Sequence, residues 1–315
     1  MIKNSMKIID IHTHGICGYD TRTTTVEHIL KIAEIHGSYG VSAIIPAIYP
    51  ASISVMRENM EVIKKAMERQ NKKHKMQDAR CKIQDVLAPC IRHPKPAKIL
   101  GVHLEGPFLN PTKCGALDSA SFIKPTEYNF KKLIEGFENI VKIITIAPEI
   151  KGATTLIKKM SDMGIIASMG HSDATYTEAE AGFNAGAKGI THVFNAMRGF
   201  HHRDPGIAGF GLLNKEIYIE VVADPYHLHP KTLDLIFKIK NPERIIIVSD
   251  TVKEAKTKKG QTNRLHVITD IYGKLSGGSM TIAESSERLV KMGYDKTAVI
   301  NCITKNPERY LSASF

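Results

Sequence analysis

Short apolar runs rich in isoleucine and valine recur eight times along the chain. They lie at residues 7–12 (KIIDIH), 41–47 (VSAIIPA), 99–104 (ILGVHL), 140–147 (IVKIITIA), 164–169 (GIIASM), 189–194 (GITHVF), 217–223 (IYIEVVA) and 244–248 (RIIIV). Runs of this length and composition, bounded by polar segments, predict buried strands. The intervening segments are long enough for helices, predicted over 25–34 (apolar at Val26, Ile29, Leu30 and Ile32), 55–69, 128–135, 153–163, 176–182 and 231–238. Strand alternating with helix is the mark of a parallel α/β fold, and eight such units predict a (β/α)8 TIM barrel. An open doubly wound sheet shares that periodicity, which does not report closure. After the eighth strand, residues 265–275 (LHVITDIYGKL) predict a hairpin turning at Tyr272-Gly273, followed by helices over 281–292 and 296–302. No repeat, low-complexity tract or linker divides the chain, so residues 1–315 read as one barrel domain with a C-terminal hairpin and helices.

The composition, 43% hydrophobic and 24% charged over 315 residues, is that of a globular chain. No stretch approaches the roughly 20 apolar residues of a membrane span, and the first eight residues lack the apolar run of a signal peptide. A cytoplasmic protein with no membrane partner is expected. The five cysteines, Cys17, Cys81, Cys90, Cys114 and Cys302, are scattered without a C-x-x-C pair, which argues against a disulfide framework and a structural zinc module. Much of the net charge of +11 sits in residues 64–82 and 253–259, a solvated helix-and-loop face and a loop. With no tryptophan, 6% aromatic residues and no recognisable module, nucleic acid is not the expected partner. A phosphorylated small molecule suits the same positive field.

In a barrel of this kind, catalytic groups sit where strands run into βα loops. The unusual polar residues fall there: His12 and His14 after the first strand, Glu105 after the third, His171 after the fifth, His192 in the sixth, Asp224 and His227 after the seventh, and Asp250 after the eighth. Imidazole and carboxylate suit a divalent zinc- or iron-like ion, for which His12, His14, Glu105, His171 and His192 are the candidate ligands. Strand alternation puts His12 and His14 on the same side. Each histidine alone could be a hydrogen-bonded structural residue; five donors at strand ends make the stronger pattern. Asp250 follows IIIVS, where a buried carboxylate is costly unless paired. It fits a base acting on a water beside such an ion, or a cap on the segment that follows.

The blocks DIHTHG (10–15), GVHLEGPFLNP (101–111), TIAPE (145–149), ASMGHSDAT (167–175), THVFNAM (191–197), FHHRDPGIAG (200–209) and SDT (249–251) resemble, in order and spacing, the signature blocks of the N-acetylglucosamine-6-phosphate deacetylases of the amidohydrolase superfamily. The resemblance covers nearly the whole chain. It implies a metal-dependent barrel hydrolase that releases acetate from an N-acetylated amino-sugar phosphate. Glu105, His171 and His192 would hold the principal ion, and His12 and His14, a pair some members lack, would allow a second, with Glu105 as bridge. Asp250 would be the general base and then the acid. Asn195, the backbone of Ala196, Arg203 and His227 would grip the sugar phosphate, partly across a homodimer interface.

Three departures bear on substrate rather than on metal chemistry. The small β-sandwich that members build from both termini has no counterpart in residues 1–315. Leu117 stands where members carry histidine or glutamine, and cannot donate a hydrogen bond. Pro225-Tyr226 replaces the usual glycine after Asp224, and the bulk of Tyr226 is expected to reshape the sugar pocket. Two other readings follow: an amidohydrolase for a different N-acetylated sugar or biosynthetic intermediate, and a non-catalytic barrel that binds sugar phosphates.

Overall fold

The computed structural model describes residues 7–84, 95–257 and 267–312. The eight apolar runs become parallel strands: β1 (Ile9–Thr13), β2 (Ala43–Ile48), β3 (Val102–Phe108), β4 (Val141–Ile146), β5 (Ile166–Met169), β6 (Gly189–Ile190), β7 (Tyr218–Val222) and β8 (Ile245–Val248). Each pairs with the next in sequence. Their residues are buried almost throughout, the condition of a parallel sheet covered on both faces, which is why the runs read as continuous rather than alternating. The last strand returns to the first. Asp250 N–H donates to the His12 carbonyl at 2.9 Å and His14 N–H to the Thr251 carbonyl at 2.7 Å. These bonds join the ends of β8 and β1 and select the barrel over the open sheet.

Helices α1 (Val26–Ser38), α2 (Ile53–Gln84), α3 (Glu127–Ile134), α4 (Ala153–Asp162), α5 (Tyr176–Asn184), α6 (Gly206–Leu213) and α7 (Pro230–Ile239) follow the first seven strands in turn. The pattern did not predict α6. Its sequence, GIAGFGLL, is buried almost from end to end and so has no polar face to set a period. Its glycines allow close packing: a Cβ on Gly211 would meet Ile190 Cδ1 at 2.7 Å. None of the helices among the described residues is long and apolar enough to cross a membrane.

After β8 the chain makes the predicted hairpin, with Thr269 opposite Leu275 and Gly273 in the left-handed region at φ 78°; residues 265 and 266 lie outside the described residues. Helices α8 (Ile282–Lys291), α9 (Lys296–Ile303) and α10 (Lys305–Ser312) complete the layer. The last, α10, places Tyr310, fully buried, in a cluster with Ile9, Ile11, Ile143, Ile166, Tyr218 and Ile246. This cluster is separate from the larger one between strands and helices, and burying the tyrosine ring contributes about 2 kcal/mol.

Candidate metal centre and active site

The polar residues at the strand ends converge. His12 and His14 leave β1 on one side, while Thr13 between them points the other way and meets His36 of α1 at 3.1 Å. Several neighbours are held in a backbone conformation unusual for a side-chain-bearing residue: φ is 46° at His171, 30° at His192, 49° at Ala196 and 48° at Asp250. Each such residue costs about 1–3 kcal/mol and persists only where its surroundings hold it. The run 189–194, read as strand, gives way after Ile190 to a turn that presents His192.

Four imidazole Nε2 atoms surround the Glu105 carboxylate. Glu105 Oε1, His171 Nε2 and His192 Nε2 form a triangle with sides of 3.2, 3.0 and 3.2 Å. His12 Nε2 and His14 Nε2 are 3.3 Å apart, each is 3.6 Å from Asp250 Oδ1, and Glu105 Oε2 lies 3.1 Å from His14 Nε2. A four-coordinate ion bound at about 2.0–2.1 Å sets its ligand atoms roughly 3.3 Å apart. The ring contacts agree: His171 Nδ1 donates to the Lys113 carbonyl and His12 Nδ1 meets Glu220 at 3.0 Å, so both Nε2 atoms are the ones turned inward.

Charge makes the same point. Asp10, Glu105, Glu220, Asp224 and Asp250 are all buried, and among the described residues none of them is ion-paired with Lys or Arg. Burial opposes a charged Glu105, but His14, His12 and His171 hold its carboxyl well below the usual range. Burial likewise opposes a charged His12, and the Asp250, Glu105 and Glu220 carboxylates raise it well above its ordinary value. Burial pushes Asp10 up to about 6. Glu105 and Asp250, facing imidazoles and no Lys or Arg, make with those imidazoles the donor set of a divalent metal ion, and these residues fit one.

The centre opens into a cavity of about 360 Å³ lined by His14, Glu105, His171, His192 and Asp250 together with Asn195, Ala196 and His227. His227 Nδ1 is 3.0 Å from Asp224, which also accepts the His227 and Tyr226 backbone N–H groups, and His227 Nε2 is 4.0 Å from Asp250 Oδ2. Leu117 lines the cavity as expected. Tyr226 is not among the lining residues; its backbone N–H donates to Asp224 and the residue is 38% exposed. Arg203 is not brought in either. Arg198, paired with Asp173 and Asp204, ties down the loop after β6, and Arg203 lies exposed on it with its guanidinium on His202.

Some site residues had escaped the sequence reading. Tyr49 stacks on His14 with ring centroids 3.8 Å apart, and the Arg22 guanidinium lies 4.2 Å from the centre of the Tyr49 ring. Glu149, within the block TIAPE, accepts from Asn110, Ser172 and the Asp173 N–H and braces the loop that carries His171. Lys274 of the hairpin lines the cavity. Glu220 had a visible signal, a carboxylate inside the otherwise apolar run IYIEVVA.

The model of the amidohydrolase family matches residues 7–314. The chain belongs to the amidohydrolase family. An N-acetylgalactosamine-6-phosphate deacetylase of Escherichia coli O157:H7 is 28% identical over 96% of this chain and 76% of its own length. An N-acetylglucosamine-6-phosphate deacetylase of Vibrio furnissii is 29% identical over 87% of this chain and 65% of its own length, and that of Bacillus subtilis is 39% identical over 52% and 41%. Among solved structures, the N-acetylglucosamine-6-phosphate deacetylase of Thermotoga maritima superposes with a TM-score of 0.82 at 25% identity, covering 98% of this chain and 78% of that one.

Proposed function

We propose that this amidohydrolase hydrolyses the acetamide of an N-acetylhexosamine 6-phosphate, converting N-acetylglucosamine 6-phosphate and water into glucosamine 6-phosphate and acetate. The observation that carries the reading is the convergence of four imidazoles, Glu105 and Asp250 on one centre, which opens through His14, His171 and His192 into a small cavity that Asn195, Ala196 and His227 also line. Glu105, His171 and His192 would hold a principal zinc or iron ion, and His12 and His14, beside Glu105, a second. A divalent ion there supplies Lewis acidity to the amide carbonyl and to an attacking water.

The chain's own residues do the rest. Asp250, 8% exposed at the cavity floor, takes a proton from the attacking water and returns it to the amine nitrogen as the C–N bond breaks. Glu105 stays charged among the imidazoles and so stays a ligand. Asp224 holds the His227 ring by its Nδ1, leaving Nε2 to face the substrate. Asn195 and the Ala196 backbone flank the sugar. Arg203, exposed outside its own cavity, would reach the phosphate in the cavity of a second protomer, so a homodimer is the expected working form.

A second reading concerns the epimer. The relative that matches 96% of this chain is a galactosamine-type deacetylase, and Leu117 offers no hydrogen bond to the substrate. Acetate release from N-acetylglucosamine 6-phosphate, its galacto epimer and the two unphosphorylated sugars, with metal content measured on the same sample, tests both readings. Turnover of neither phosphorylated sugar by fully metal-loaded protein would sink them.

A further inference from the structure

The four imidazoles at the centre are alike on the inside and unlike on the outside. His171 Nδ1 is 2.9 Å from the Lys113 backbone carbonyl, while the Nδ1 atoms of His14 and His192 have no hydrogen-bond partner. His12 Nδ1 alone is backed by a carboxylate, with Glu220 Oε2 at 3.0 Å. Glu220 is 1% exposed on β7, and the other residues of that strand, Tyr218, Ile219, Val221 and Val222, are apolar or aromatic. Its second oxygen, Oε1, has no hydrogen-bond partner. A half-satisfied buried carboxylate is costly as a structural element, so a purely structural role is a poor account of it.

A carboxylate behind an imidazole fixes the ring's orientation, holds its proton on the outer nitrogen and makes the inner nitrogen a better donor. Here that inner nitrogen, His12 Nε2, faces His14 Nε2 at 3.3 Å, Glu105 Oε1 at 3.5 Å and Asp250 Oδ1 at 3.6 Å. We propose that Glu220 is a positioning residue that sets the metal affinity of the His12–His14 half of the centre, leaving the Glu105–His171–His192 half largely independent of it. The inference rests on the metal-centre reading above, but not on the identity of the substrate.

The test is a titration of chelator-stripped protein with zinc, in competition with a fluorescent indicator and with bound metal counted by mass spectrometry. His14→Ala and His192→Ala assign the two binding steps. In Glu220→Leu the His12–His14 step weakens about ten- to a hundredfold, while the other stays within about threefold. Glu220→Gln keeps an acceptor oxygen without the charge and recovers only part of the loss, leaving that step weakened about three- to tenfold. Wild-type affinities in both Glu220 variants, equal weakening of both steps, or a wild-type protein that binds one ion would each overturn the proposal. If Glu220→Leu does not fold, Glu220→Gln decides: a weakened His12–His14 step alone supports the proposal, and an unchanged one overturns it. Acetate release is scored separately, so an inactive protein that shows the unequal steps counts against the proposed reaction and not against Glu220.

Discussion

Inside the barrel and at its C-terminal end the fold buries five carboxylates, Asp10, Glu105, Glu220, Asp224 and Asp250, with no Lys or Arg paired to them among the described residues; behind α6 it buries Lys240 with no carboxylate among the described residues bonded to it. The two regions solve the same electrostatic problem differently. Lys240 Nζ donates to the Gly211 and Asn214 carbonyls at the C-terminal end of α6, where the helix presents unpaired acceptors and partial negative charge. Burial brings its pKa down to about 7, so it can also shed its charge. Within the polypeptide the carboxylates meet only imidazoles and backbone N–H groups, and the Glu105, Asp250 and histidine donors that face one another fit a cation from outside, which separates a built binding centre from a structural cap.

The largest effect expected is from removing that outside charge. Chelation should abolish turnover and lower the melting temperature by about 10 °C, since an ion bound at a thousandfold excess over its Kd contributes about 4 kcal/mol. Restoration of both by zinc or iron, followed by calorimetry and acetate assay, checks it; a melting curve indifferent to chelator would break the contrast. Next, Asp250→Asn should lower kcat by about 10²–10⁴-fold while calorimetry shows the sugar phosphate still binding. Equal loss of binding and turnover would place Asp250 in the substrate grip instead. Arg203→Ala should raise KM about tenfold for the phosphorylated sugar, the size of one lost charge-assisted contact, and leave the unphosphorylated sugar unchanged. Because Arg203 lies outside its own cavity, mixing Arg203→Ala with Asp250→Asn protomers should recover part of the activity.

The smallest effect belongs to Lys240 and has a definite sign. Its folded pKa of about 7 lies below the ordinary value of 10.5, so between those values the unfolded chain holds the extra proton and raising the pH favours folding. The cost of charging it is fully present below about 7 and is relieved as the pH rises above that. Against Lys240→Met, the wild-type melting temperature should therefore gain a few degrees between pH 7 and 9.5. A flat difference would mean that the carbonyls keep the lysine charged, narrowing the contrast between the two regions.

How legible each region was follows from its physics. The strands were readable because both faces of a parallel barrel are apolar, and the ligands because ionisable groups at the ends of such runs have few structural uses. Strand β3 was misplaced by three residues at its start because Lys98–Ile99 forms its own short pairing with β2. Helix α6 escaped because glycine and full burial erase a helical period. Arg203 stands in the expected block, yet its place relative to the cavity depends on the Arg198 ion pairs, which no local pattern encodes. Lys240 gave no signal at all, since its partners are backbone carbonyls 26 and 29 residues away in sequence.

The junction of β1 with the end of β8 also sets an order of assembly. Residues 9–13 are made more than 200 residues before their partners at Asp250 and Thr251. At about 5–20 residues per second the first strand waits on the order of ten to fifty seconds with one edge unpaired, and Tyr310 arrives later still to fill the interior. A nascent chain of this design therefore exposes an unpaired strand edge while the seven other strands are made, and the growing barrel is most in need of a chaperone until β8 and α10 have left the ribosome.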